Sequence, residues 1–419
     1  MSISQQIARR YPALASRDFV IFWVGQFISL IGTWMQNTTQ PYLAYRLSGK
    51  PFDLGLIGFA GALPTLLLAL PGGVLVERLD KRKTVIVMQA VMMLQAFILA
   101  ALALTGTIQI WHIVILAFLL GTANSIEITA RQAMLIELVG REALPNAIAL
   151  QSTIFNAARV IGPSLAVPFL IFIQGSGEGW AFLANGISYL FIIISLFFVN
   201  SPFKPEPNLA KRDLWSEFRE GQAYIKQTRI VAMIILMAAV LGFVGFPLLQ
   251  QIPVIARDVL AQTGDTEPLR AARNSALYTA QGVGALVAAL SLASFNPKRK
   301  GLLLMAGQLI FILSIIALSF TRNVSLTLAL IVIIGWGTVT ALAIMNTLIQ
   351  LQVPDHLRGR VFSTYLWALQ GVAPFGSLLV GWMAQTWGVP LTALVCGLIC
   401  LLVIGGIHLW NPEIRTRVL

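Results

Sequence analysis

Twelve stretches of predominantly apolar residues, each about long enough to cross a bilayer as a helix, run along the chain. They fall at roughly 19–45, 54–77, 84–105, 110–130, 145–173, 180–199, 230–256, 274–294, 301–320, 324–348, 361–386 and 390–410. The pattern predicts an all-helical integral membrane protein of twelve spans. The apolar stretch after Arg17 is too long for the core of a cleaved leader, and no small-residue cleavage pattern follows it. The longest polar stretch, 200–229, contains Pro202, Pro205 and Pro207 and ten charged residues, with a short amphipathic helix expected near 211–227. It divides the chain into a six-span bundle over 1–199, a linker over 200–229 and a second six-span bundle over 230–419.

The halves echo each other at an offset of about 213–217 residues. Lys81-Arg82-Lys83 follows the second span and Lys298-Arg299-Lys300 the eighth. Leu144-Pro145-Asn146-Ala147 opens the fifth span and Leu357-Arg358-Gly359-Arg360 the eleventh. Gly162-Pro163-Ser164-Leu165 has a near partner in Pro374-Phe375-Gly376-Ser377-Leu378. A duplicated six-span unit implies two pseudo-symmetric bundles with a substrate path at their interface.

Composition sharpens this. Hydrophobic residues make up 57% of 419 residues and charged residues 11%, with a mean hydropathy of +0.80. Too little polar surface remains to face water, which excludes a soluble enzyme, a disordered scaffold and a disulfide module. The net charge of +12 is a matter of topology. With both termini cytoplasmic, 22 of the 29 Lys and Arg fall in inner segments and six in outer ones, with Arg159 inside a span. The positive-inside rule therefore places the termini in the cytoplasm and the basic loops against anionic lipid headgroups; nucleic acid is not implied. Cys396 and Cys400 lie a turn apart in an apolar run, and His112, His356 and His408 are scattered. No metal-ligand spacing, phosphate-cradling loop or nucleophile–base set is present, so neither a metal, nor a cofactor, nor an enzyme is expected.

The loop after the second span reads Gly72-Gly73-Val74-Leu75-Val76-Glu77-Arg78-Leu79-Asp80-Lys81-Arg82-Lys83. Its alternating acids and bases sit at a helix end, where an acid can pair with a base or cap the helix opening span eleven. Gly73, Glu77, Arg78, Asp80 and Arg82 are the expected gating residues here. Twelve spans in two repeats and this loop resemble the major facilitator superfamily, whose signature reads Gly-x-x-x-Asp-Arg-x-Gly-Arg-Arg; Glu77 stands where Asp is usual and Asp80 where Gly is common. A closer resemblance, carried by Phe22 to Ser29, Gly32 to Gln36, Ala130 to Ala133, Leu144 to Ala147 and Ala158 to Pro163, is to the bacterial branch that includes enterobactin-type siderophore exporters. The segment around Gly162 and Pro163 is similar to the span-five motif associated with exporters. A Gly-Pro pair also bends a helix and removes a backbone donor, so an ordinary packing kink is the competing reading.

Inside the spans, Gln26, Ser29, Thr33, Gln36, Asn37 and Gln40 share one face of the first helix, either lining a wet cavity or bonding neighbouring helices. Asn156, Tyr278, Gln281, Asn346, Tyr365 and Gln370 are similar candidates, and Trp336 and Trp367 offer rings. Arg159 lies mid-span, where a charge costs at least about 2.5–3.5 kcal/mol; it either meets an anionic or catecholate-like cargo or is tethered to backbone or a neighbouring helix. Glu127 precedes Arg131 by one turn, a favourable ion pair. It belongs either to a gate network with Arg131, Arg78 and Glu77 or to a proton-coupling site. The expectation is a monomeric secondary transporter of the bacterial inner membrane, exporting a small siderophore-like or drug-like molecule by alternating access, with protons as one possible coupling ion. The alternatives are a lipid or multidrug exporter of the same fold, or a non-transporting membrane receptor or assembly protein.

Overall fold

Lipid offers a backbone no hydrogen bonds, so a chain this apolar must satisfy its peptide groups within each span. The computed structural model describes residues 11–68, 79–173, 175–200, 214–294 and 299–416, and its regular elements are all helical. The long helices are α1 (Arg17–Ser48), α2 (Pro51–Leu68), α3 (Lys81–Leu104), α4 (Ile110–Phe172) and α5 (Gly177–Phe197). After the amphipathic α6 (Leu214–Gln227) come α7 (Arg229–Val259), α8 (Glu267–Ser294), α9 (Lys300–Phe320), α10 (Val324–Gln352), α11 (Asp355–Trp387) and α12 (Val389–Trp410).

Eleven of these helices are long and apolar enough to cross a membrane. The 63-residue α4 carries two of the expected spans, joined at Gly140, whose φ of 74° and ψ of 170° are non-helical. A residue with a Cβ is strained at that φ, so a glycine makes the junction. Large apolar side chains such as Phe172, Phe197, Phe320, Leu402 and Leu409 are exposed. On a soluble protein they would form sticky patches; here lipid covers them.

Contacts divide the chain into two compact units, Met1–Leu43 with Leu63–Asn208, and Ala44–Ala62 with Leu209–Leu419. In the first, α3 packs along α4 and α5. Phe19, Phe22, Val85, Met134, Ile192 and Leu196 form a core. A short 3₁₀ turn, Pro12–Ala15, is pinned there: Ala13 N–H donates to Asn146 Oδ1 at 3.2 Å and Ser16 Oγ to the Leu138 carbonyl at 2.8 Å. Asn146 of the Leu-Pro-Asn-Ala motif thus fastens this turn to α4.

In the second unit, α10 packs along α8 and α9, and α9 along α12. Two elements depart from regular α geometry. α7 contains π turns at Leu241–Gly245 and Ile255–Val259 around a 3₁₀ turn at Pro247–Gln251, and α11 a π turn at Trp367–Gly371. The amphipathic α6 docks on the start of α11. Arg360 pairs with Glu220, Gln222 Nε2 donates to Thr364 Oγ1 at 3.0 Å, and Tyr224 OH to the Gln352 carbonyl at 2.9 Å.

The sequence repeat reappears as a repeated helix contact. A Cβ on Gly162 would lie 2.6 Å from Trp34 Cβ and 2.7 Å from the Ile31 carbonyl oxygen, so α4 and α1 touch through this glycine. A Cβ on Gly376 would lie 2.0 Å from the Phe243 carbonyl oxygen, so α11 and α7 touch in the same way. Small residues permit such close backbone approach.

Candidate functional site

Glu127 sits on α4 with only 2% of its surface exposed. One of its oxygens, Oε1, accepts from Arg131 Nε at 3.0 Å, one turn along the same helix, and from Gln89 Nε2 of α3 at 3.1 Å. Spacing predicts the pair with Arg131; Gln89 escapes a sequence reading because nothing local links α3 to α4. Lys81 of α3 and Glu137 of α4 form an ion pair between these two helices. Gly73, Glu77 and Arg78 lie outside the described residues. Asp80 Oδ1 accepts Lys83 N–H at 3.0 Å, capping the first turn of α3, and its Oδ2 lies 3.9 Å from Lys83 Nζ. The helix opening span eleven follows Pro354 and has no side-chain cap. Arg82, on the first turn of α3, is half-buried.

The polar stripe of α1 divides. Gln36 is the hub of an amide network that joins three helices: its Nε2 donates to Gln40 Oε1 at 3.0 Å and Gln95 Oε1 at 3.2 Å, and its Oε1 accepts from Asn185 Nδ2 at 2.7 Å. Thr33 Oγ1 lies 3.2 Å from Tyr189 OH. Gln26 is buried with its Oε1 unpartnered among the described residues, and Asn37 is exposed. Gln95, Asn185 and Tyr189 went unread in the sequence, because a lone polar residue in an apolar run carries no periodic signal.

Arg159 lies on α4 one turn beyond Phe155 and Asn156. Its guanidinium carbon is 5.4 Å from the centroid of the Trp34 ring, a cation–π contact. Phe155 meets that ring edge-on at a centroid distance of 5.4 Å and an interplanar angle of 73°. Arg159 Nε is sealed from solvent without a hydrogen-bond partner among the described residues. Asn156 Nδ2 donates to the Ser152 carbonyl at 2.8 Å. Gly162, one turn further, sets the α1–α4 spacing that brings Trp34 under Arg159; Pro163 is buried beside it.

The second-unit candidates do not bond to one another. Tyr278 is half-buried, Gln281 is buried beside the close approach of Gly335 to α8, and Asn346 accepts from Gln350. The buried Tyr365 ring lies 5.6 Å from that of Phe362, and Gln370 and Trp367 are exposed in the π turn. Cys396 and Cys400 are free and buried. His408 Nε2 lies 2.8 Å from Gln308 Oε1. Among the described residues, no group of three or more His, Cys, Asp or Glu is placed to hold a metal ion.

A membrane-spanning duplication with buried charges held between its helices is the architecture of a transporter, and comparison with known proteins agrees. The profile of a family described as transmembrane secretion effector matches residues 9–416. The chain belongs to this family. It is a multi-pass membrane transporter of the major facilitator superfamily, an exporter of small molecules and not an enzyme. It is 24% identical to the multidrug efflux pump Tap of Mycolicibacterium fortuitum over 383 residues, covering 90% of this chain and 91% of that one. It is 26% identical to the staphyloferrin A transporter of Staphylococcus aureus over 399 residues, covering 94% and 97%. Its fold matches the crystal structure of a bacterial homolog to the human lysosomal transporter Spinster, with a TM-score of 0.73 and 14% identity, covering 96% and 98%. The resemblance to this branch read from the sequence is borne out.

Proposed function

We propose that this transporter resides in the bacterial cytoplasmic membrane and exchanges a small siderophore-like or drug-like molecule for protons, with Glu127 as the coupling group. The observation that carries the reading is a nearly inaccessible carboxylate inside a span, held by one arginine and one glutamine. A proton arriving there removes the charge that Arg131 and Gln89 hold. The tie between α3 and α4 then changes strength with occupancy by protons. A buried charge with one cationic partner is strongly destabilised when that balance is broken, which is what a coupling step requires. Both termini lie in the cytoplasm in this reading, the basic loops meet anionic headgroups, and the chain acts as a monomer of two six-helix bundles. Multidrug export is the second reading, favoured by the likeness to the Tap pump.

The test is uptake into reconstituted vesicles under an imposed pH gradient, with a panel of siderophores, dyes and antibiotics. Glu127→Gln, at normal protein levels, should abolish gradient-driven accumulation while leaving exchange of cargo without a gradient. An unchanged pH dependence in that variant defeats the assignment. A companion variant, Arg131→Ala, leaves the Glu127 charge without its cation and should slow cycling together with a fall in melting temperature; full turnover in that variant counts against the pair.

A further inference from the structure

We infer that Arg159 and Trp34 form the seat for an anionic group on the cargo, with Phe155 positioned against an adjoining flat ring, so that the exported molecule is an aromatic anion. This inference rests on the exporter reading and names the cargo class that the reading leaves open.

Three observations carry it. First, Arg159 is a cation inside a span with no carboxylate in ion-pair reach among the described residues. Of the acids on α4, Glu127 is already engaged by Arg131 and Gln89, and Glu137 by Lys81. What holds Arg159 is a ring face, which leaves the guanidinium's planar fork of N–H donors without a bidentate acceptor.

Second, the scaffold does not need this cation. The second unit repeats the α4–α1 contact as α11 on α7, glycine against backbone, at Gly376 and Phe243. The turn of α11 that matches Arg159 reads Gly371-Val372-Ala373-Pro374, and it is uncharged. Two copies of one helix contact form, and one does so without a charge. A purely structural arginine would be redundant in the first copy, so its role lies outside packing.

Third, the seat is organised before any ligand arrives. Gly162 fixes the spacing between α1 and α4, Trp34 is braced edge-on by Phe155, and Phe155 remains 45% exposed. A carboxylate or sulfonate fits the fork, and an aromatic ring attached to it fits Phe155 by offset or edge packing. A cationic cargo of the same shape would meet a like charge, which makes the seat selective by repulsion as well as by attraction.

The experiment measures binding and flux separately with one set of probes. The full chain in nanodiscs is titrated with 2-naphthalenesulfonate, the neutral 2-naphthalenesulfonamide and a naphthyl trimethylammonium cation. The sulfonate should bind more tightly than the other two, by about tenfold or more, the amount expected when a charge-assisted bidentate contact is lost. Arg159→Gln should remove that preference while the neutral probe binds as before, and Arg159→Lys should restore part of it, since a point charge replaces the fork. If Arg159→Gln does not fold, Trp34→Leu is the second route: it keeps the charge, removes the ring, and should narrow the preference. Equal binding of all three probes by the wild type, absence of binding by any of them, or an unaltered preference in Arg159→Gln overturns the inference. Vesicle uptake of the sulfonate is read in parallel. Charge-selective binding without uptake keeps the seat and defeats the exporter reading; uptake without charge preference keeps the exporter and defeats the seat.

Discussion

Arg273 shows what a charge near the membrane needs in order to be at rest. Its Nη1 donates to the Ala256 carbonyl at 3.0 Å, the Leu260 carbonyl at 2.8 Å and Asp265 Oδ2 at 2.9 Å, and its Nη2 reaches Asp265 Oδ1 at 2.8 Å. These bonds close the end of α7 onto the start of α8. The Arg273 hydrogen bonds hold the Asp265 carboxyl below the ordinary carboxylate range, against the opposing effect of burial. A depressed folded-state value stabilises the fold above the unfolded value, about 3.9, and that contribution is lost as pH falls through the folded value. Asp265→Asn should therefore lower the melting temperature at neutral pH, where the wild-type carboxylate is charged. The gap between variant and wild type should close as pH falls below about 4. A gap that stays constant with pH contradicts the assignment. Little of this was legible in the sequence, because the partners meet only through a loop fold. Glu127 with Arg131 was legible, since helical spacing alone brings them together. Arg159 was legible as a lone charge, but its ring partner Trp34 was not, because the contact depends on which helices are neighbours.

At the scale of elements, glycine sets the distances. Gly162 and Gly376 each seat one helix on another where a Cβ has no room. Gly162→Ala and Gly376→Ala should both destabilise the protein, each by about 1–3 kcal/mol, the usual cost of overpacking. Thermal unfolding in detergent reads this directly. Their effects on ligand preference should differ. Gly162→Ala pushes Trp34 away from Arg159 and should reduce anion preference, while Gly376→Ala should leave it intact. Equal effects on preference would mean that the two contacts serve one common structural role. The helices themselves were readable from apolar length, and the junction in α4 sits where the basic Arg131 and Arg141 separated two spans. The π turns of α7 and α11 were not readable, since they arise from how a helix accommodates its neighbours, as at Gly242, where a Cβ would lie 2.0 Å from the Leu369 carbonyl oxygen. The stripe on α1 was readable as one polar face. Periodicity defines a face without naming what meets it, and for Gln36 that is Gln95 and Asn185.

At the scale of the whole molecule, the duplication was visible in sequence because related loops and the Gly-Pro segment recur at a common offset. The cargo was not visible there, because chemistry that recognises a ligand rests on a few side chains that break the repeat. In the proposed cycle cargo leaves as protons enter, so the sign of the pH gradient sets the side on which cargo accumulates. The most direct test uses wild-type protein in vesicles with the membrane potential clamped and a cargo from the panel equal on both sides. Cargo should accumulate in the acidic compartment, about tenfold per pH unit for each proton exchanged, and the accumulation should reverse when the pH gradient is reversed. Accumulation that ignores the sign of the gradient contradicts the proposed cycle.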